Sequence, residues 1–188
     1  MDPGKDLLMA ANIDRTVISK MDAASIAVVL LWFIPEIFTM LSRGIVITRL
    51  SPAVEGDIVF ADIPTGAQWL YALGLGGKYL CLLVTTLLLS RALTEMSRGA
   101  VFTERNAKRL VVSACAVFAF VIFRLAFEGL ANNWVASDLG IDGWWDIVGA
   151  GTPLSEFAPA LLFAITVSVF ATIIRRGAKL EEDVDGLV

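Results

Sequence analysis

Four long apolar blocks dominate the chain, and short polar, charged stretches separate them. They run approximately from Ser25 to Gly44, Trp69 to Leu89, Leu110 to Leu130 and Phe157 to Ile174. A helix needs ~20 mostly apolar residues to cross a bilayer. In lipid the backbone must satisfy its own hydrogen bonds, which favours a helix for each such run. Composition agrees: 57% of the 188 residues are hydrophobic, 18% are charged, and the mean hydropathy is +0.74. Soluble domains carry roughly 45–50% apolar and about 25% charged residues. The expected fold is an all-α integral membrane protein, with four transmembrane helices in an up-down bundle. Its parts are an amino-terminal segment (1–24), the transmembrane domain (25–176) and an acidic tail (177–188).

A signal sequence would place a basic end before about 7–15 apolar residues. Here some 24 mostly polar residues, acids among them, precede a longer block that contains Pro35 and Glu36. The first block is therefore expected to be a retained span. Cys81 and Cys115 both fall inside predicted spans. Buried cysteines behave mainly as small hydrophobes, so no disulfide is expected. The chain has no histidine, the commonest metal ligand and general base.

Charge predicts the orientation, because Lys and Arg gather in cytoplasmic connections near span ends. The link between spans two and three holds Arg91, Arg98, Arg105, Lys108 and Arg109, whereas Ala131 to Glu156 holds no cation. Arg175, Arg176 and Lys179 follow span four, and Lys5, Arg15 and Lys20 precede span one. The first connection has Arg43 and Arg49 against Glu55, Asp57 and Asp62. Both termini and the middle link are expected in the cytoplasm, and the other two links outside.

The middle link, "RGAVFTERNAKRL", carries helix-end chemistry. Gly99 suits a left-handed stop, Thr103 an amino-terminal cap, and Phe102 a residue packed beside that cap. Glu104 favours the positive helix start. A capped, positively anchored turn accounts for these residues, and a docking surface for a cytosolic partner is the rival reading. Asn106 fits the plain turn least, being a weak helix former.

This link, together with the closing "ATIIRRGAKLEEDVDGLV", resembles the bacterial four-span family catalogued as domain of unknown function 2975. Gly99, Phe102, Thr103, Asn106 and Leu110 match the first motif. Gly177, Leu180, Glu182, Asp183 and Val188 match the second. The order of elements is similar throughout, but only these two motifs are specific. The resemblance implies no activity. It does imply a partner, since family members are often encoded beside a small helix-turn-helix DNA-binding regulator.

Ionisable groups inside spans are functional candidates, because a charge at mid-bilayer is costly. Glu36, Lys78, Arg124 and Glu128 qualify. At ~1.5 Å per residue, Glu36 and Arg124 lie ~22 Å above the inner surface and Lys78 ~20 Å. Glu128 stands one turn above Arg124 on the same face. One acid and two bases thus share nearly one level in the outer half of the membrane, and Glu128 adds a second acid. The cluster is either an ion-paired layer that fixes packing, a sensing site open to the outside, or part of a transport path.

"GLGGK" (Gly74–Lys78) lacks the spacing, the Ser or Thr and the preceding strand of a nucleotide loop. Its glycines instead suit close helix approach. Pro35 is expected to kink span one beside Glu36, while Pro159 is tolerated near the start of span four. "IVITRL" and "DIVFAD" alternate and suggest a short hairpin around Pro52–Gly56. Trp134, Trp144 and Trp145 suggest a segment lying along the outer interface. Gly177 is expected to break the last helix and release an acidic tail (Glu181, Glu182, Asp183, Asp185). Leu180, Val184 and Leu187 stand at helical spacing in that tail.

No nucleophile–base pair, metal-ligand spacing or catalytic carboxylate pair emerges, and neither cofactor nor metal nor direct nucleic-acid binding is expected. The favoured expectation is a non-enzymatic membrane partner that sequesters or tunes a small cytosolic transcription regulator. The alternatives are a ligand sensor or transporter subunit built on the charge cluster, and a structural envelope protein.

Overall fold

The computed structural model describes residues 23–24, 26–28, 30–31, 33–147 and 153–185. The expectations for residues 1–22, Ser25, Leu187 and Val188 lie outside these described residues. Every regular element among them is helical. The described residues between 23 and 43 form α1. They are followed by α2 (Thr65–Ser97), α3 (Glu104–Ile122), a π-helical segment (Phe123–Glu128), α4 (Gly129–Asp138), α5 (Trp144–Ile147) and α6 (Pro153–Asp185).

Three helices are long and apolar enough to cross a membrane: Thr65–Ser97, Glu104–Asp138 and Phe157–Val184. The second joins α3, the π segment and α4 into one rod. Leu73, Leu80, Leu93, Phe118, Leu162, Ile165 and Val169 are all exposed on these helices. Apolar surface of this extent is rare on a soluble monomer. The chain is an all-helical membrane protein.

Small residues set the packing. A side chain at Gly77 would overlap the Phe123 ring, and one at Gly74 would come within 3.1 Å of the Glu128 backbone nitrogen. These glycines let α2 lie directly against the π segment. At one end Ala92, Ala107, Leu110, Ala114, Val167, Ala171 and Ile174 bury a core shared by α2, α3 and α6.

The other end carries a second core. Val46, Leu50, Ile58 and Ile63 from the α1–α2 connection pack with Tyr71, Ala131, Val135 and Trp144. The hairpin expected here is reduced to a single antiparallel bridge, Ile45 to Val59, and a 3-10 turn at Ser51–Ala53. Val46, Leu50 and Ile58 turn onto α2 and α4 while Ile47 and Val59 stay exposed, and Pro52 has no N–H to donate to a longer ladder.

The Trp-rich stretch also differs from a segment lying flat on the interface. Trp144 is buried and its indole N–H donates to Asn133 Oδ1 at 3.0 Å, while Trp134 covers Gly66. Trp145 remains exposed.

α6 corrects a further expectation, because the helix runs through Gly177 to Asp185. A helical glycine costs about 1 kcal/mol relative to alanine, too little to stop a helix flanked by Ala, Lys, Leu and Glu. α6 also passes through Pro159 without interruption. Its 33 residues span ~50 Å at ~1.5 Å each, well beyond a ~30 Å hydrocarbon layer.

Candidate functional site

The four ionisable residues singled out within the spans meet in space. The Lys78 ammonium stands 3.0 Å from Glu36 Oε1 and 3.5 Å from Glu128 Oε2. Arg124 donates to both Glu128 oxygens, at 2.8 and 3.1 Å. Glu128 and Lys78 are almost fully buried, whereas Glu36 and Arg124 keep partial exposure. The chain Glu36–Lys78–Glu128–Arg124 alternates in sign and links α1, α2 and the π segment. Charges this deep persist because each has an opposite partner in contact.

Local structure explains the placement. Arg124 and Glu128 both belong to the π segment, a wider turn often associated with functional positions. Gly74 and Gly77 precede Lys78 on the face of α2 that meets this segment. The absent side chains bring the two backbones close enough for Lys78 to reach Glu128.

Beside the cluster lies a cavity of about 660 Å³. Its polar lining comprises Glu36, Thr48, Arg49, Lys78, Tyr79 and Arg124, and its apolar lining Val28, Phe33, Ile47, Leu82 and Phe120. The volume falls within the ~300–1,000 Å³ typical of small-molecule sites. The Tyr79 ring packs on Phe33, with centroids 3.9 Å apart, and Lys78 Nζ sits 5.0 Å from the Tyr79 centroid. The Tyr79 hydroxyl is buried beside the Glu36 carboxylate.

Thr48, Arg49 and Tyr79 are not among the site residues that the sequence predicts. Tyr79 had one available signal, its position next to Lys78. Thr48 and Arg49 had none, because they reach the cluster only when the α1–α2 connection folds back on the helices.

The middle link forms a second constellation. Gly99 has a φ of +91°, and the amides of Gly99 and Ala100 donate to Met96 and Glu95 carbonyls at 3.0 and 3.2 Å. This bond pair closes α2. Thr103 Oγ1 accepts from the Asn106 amide at 3.1 Å and opens α3. Asn106 is fully buried, and its Nδ2 donates to the Ala100 carbonyl at 2.7 Å. Arg109 donates to Asn106 Oδ1 at 3.4 Å and pairs with Glu95 at 2.7 Å. Asn106 thus ties the turn to the helix it precedes, a role that needs an amide rather than helix propensity.

Phe102 lies over Gly177 of α6, joining one residue of each motif. Leu110 is buried in the adjoining core. Leu180, Glu182 and Asp183 are exposed on the last turns of α6.

Among the described residues no group of three His, Cys, Asp or Glu side chains is placed to hold a metal. Comparison with known protein families, curated proteins and solved structures gives no match.

Proposed function

We propose that the chain is a non-enzymatic, four-span protein of the bacterial cytoplasmic membrane that senses a small ligand from the outer side. In this reading α1 is the fourth span, the Arg-rich link between α2 and α3 faces the cytoplasm with both termini, and the charge cluster lies in the outer half. The observation that carries the reading is the cavity beside the buried ion pairs, lined by Glu36, Lys78 and Arg124. A layer that served packing alone would have no use for adjoining space.

A compound screen on the purified full chain tests it, read as a shift in thermal unfolding. Ligands that stabilise the wild type should fail to stabilise Leu82→Trp, which fills the cavity without touching an ion pair. If no compound stabilises the wild type, or Leu82→Trp responds equally, the cluster is a packing layer.

The exposed end of α6 favours a second reading, in which the protein holds a small cytosolic helix-turn-helix regulator. Leu180 and Val184 stand one turn apart and exposed, beside the exposed Glu181, Glu182 and Asp183. A DNA-binding regulator offers a basic face of complementary charge. Kinship with the four-span family, resting on the two motifs around Phe102 and Gly177, belongs to this proposal. Co-purification with and without residues 178–188 tests it, and binding that survives the deletion would rule it out.

A further inference from the structure

We propose that the cavity takes an uncharged amphiphile, a hydroxyl group on a hydrocarbon tail. The hydroxyl sits against Glu36, and the tail runs past Phe120 and Leu82 toward Val28. The proposal rests on the sensing reading and adds the ligand's chemistry and its direction in the membrane.

Charge balance sets the ligand class. Glu36 and Glu128 balance Lys78 and Arg124, and these four side chains pair with one another. Arg49, the remaining charge on the lining, has an interaction partner of its own. A charged ligand would give up its hydration and meet no uncompensated counter-charge, a cost that an uncharged molecule avoids. A hydroxyl group still finds a partner. An ionised carboxylate accepts at about four lone-pair sites. On Glu36 the Lys78 ammonium takes one at 3.0 Å, and the Tyr79 hydroxyl lies beside the same group. Glu36 lines the cavity and keeps 24% of its side chain exposed. Its remaining sites accept from a ligand O–H.

A polarity gradient shared by three helices sets the direction. α1 and α3 run toward the connection at residues 44–64, and α2 runs away from it. Val28 precedes Glu36 by eight residues, Phe120 precedes Arg124 by four, and Leu82 follows Lys78 by four. At ~1.5 Å per residue, each apolar residue therefore lies ~6–12 Å further from the connection than the charge on its own helix. Val28, at the apolar end, is exposed on the surface of the bundle. That end opens toward lipid, the phase in which an amphiphile is dissolved.

The test uses the purified full chain in nanodiscs of phosphatidylcholine, with empty nanodiscs as control. Saturable binding is measured for probes that share one tail: dodecanol, monolauroylglycerol, dodecyl methyl ether, dodecyl phosphate and dodecyltrimethylammonium. At least one of the two hydroxyl compounds should bind about tenfold or more tightly than the ether and than either ion, as expected for a hydrogen bond to a charged acceptor. Dodecanol alone assigns a free alcohol, monolauroylglycerol alone a glyceride, and both together the shared chemistry; each supports the proposal. Glu36→Gln keeps the shape and should weaken binding of the hydroxyl compounds about tenfold, leaving the ether unchanged. If Glu36→Gln does not fold, the comparison of hydroxyl compounds with ether and ions on the wild type decides alone. The ether or either ion binding as tightly as the hydroxyl compounds would overturn the ligand class and leave the sensing reading standing. Saturation by none of the probes, or unchanged hydroxyl binding in folded Glu36→Gln, would overturn the proposal. The Leu82→Trp screen decides the sensing reading separately.

Discussion

The Phe102 ring lies against Gly177, so closely that a side chain at residue 177 would overlap it. This contact fastens the turn between α2 and α3 to α6 near the end of the bundle that carries the Arg-rich link. Gly177→Val should lower stability by about 1–3 kcal/mol, the usual cost of overpacking, and Phe102→Ala in the same chain should recover most of it. Thermal unfolding in detergent measures both. Gly177→Ala is the sharper control: helix propensity favours it by about 1 kcal/mol. A full gain of that size would show that the ring yields without cost.

Glu128 receives both cations of the buried cluster. Glu128→Gln keeps the shape and removes the shared charge, so it should cost about 3–5 kcal/mol, as breaking a buried pair does. Protein level in the membrane and the unfolding temperature would both fall. Glu36→Leu combined with Lys78→Met removes a pair together and should cost less than Lys78→Met alone. Normal levels for Glu36→Ala, Lys78→Ala and Arg124→Ala would mean that the ion pairs hold nothing together.

Asn106 and Thr103 divide the work of the link differently. Thr103→Ala loses one cap hydrogen bond and should cost about 1 kcal/mol. Asn106→Leu removes two side-chain hydrogen bonds, to the Ala100 carbonyl and from Arg109, for about 1–3 kcal/mol. Unfolding of the two variants side by side checks the order. Equal costs would show that the Asn106 amide adds nothing beyond the cap.

Topology reporters test the four-span reading. Fusions after Ala100 and after Asp185 should report the cytoplasm, and fusions after Asp62 and after Trp145 the opposite side. Trp145 and Asp185 reporting the same side would remove α6 as a span, and with it the shared cytoplasmic location of the basic link and the acidic helix end.

Much of this was legible in the sequence for a simple reason: a helix in lipid satisfies its own backbone, so its existence depends on local composition. The blocks around Trp69–Leu89, Leu110–Leu130 and Phe157–Ile174 each lie within an observed helix. The Gly99 stop and the Thr103 cap were equally readable, because helix ends are closed by residues a few positions away. Helical rise alone placed Glu36, Lys78 and Arg124 at one depth. Depth is a one-dimensional property, and the sequence holds it.

Tertiary structure alone decided who faces whom. Gly177 reads locally as a helix breaker, and only the neighbouring Phe102 makes it a place of contact inside an unbroken α6. Trp144 reads as an interface residue until the α1–α2 connection folds over it. Nothing near Arg49 or Thr48 reveals that they line a cavity with Tyr79, because that wall is assembled from three helices and a returning loop. Side chains far apart along the chain meet only when whole helices pack, and packing is set by their combined surfaces rather than by any one stretch of residues.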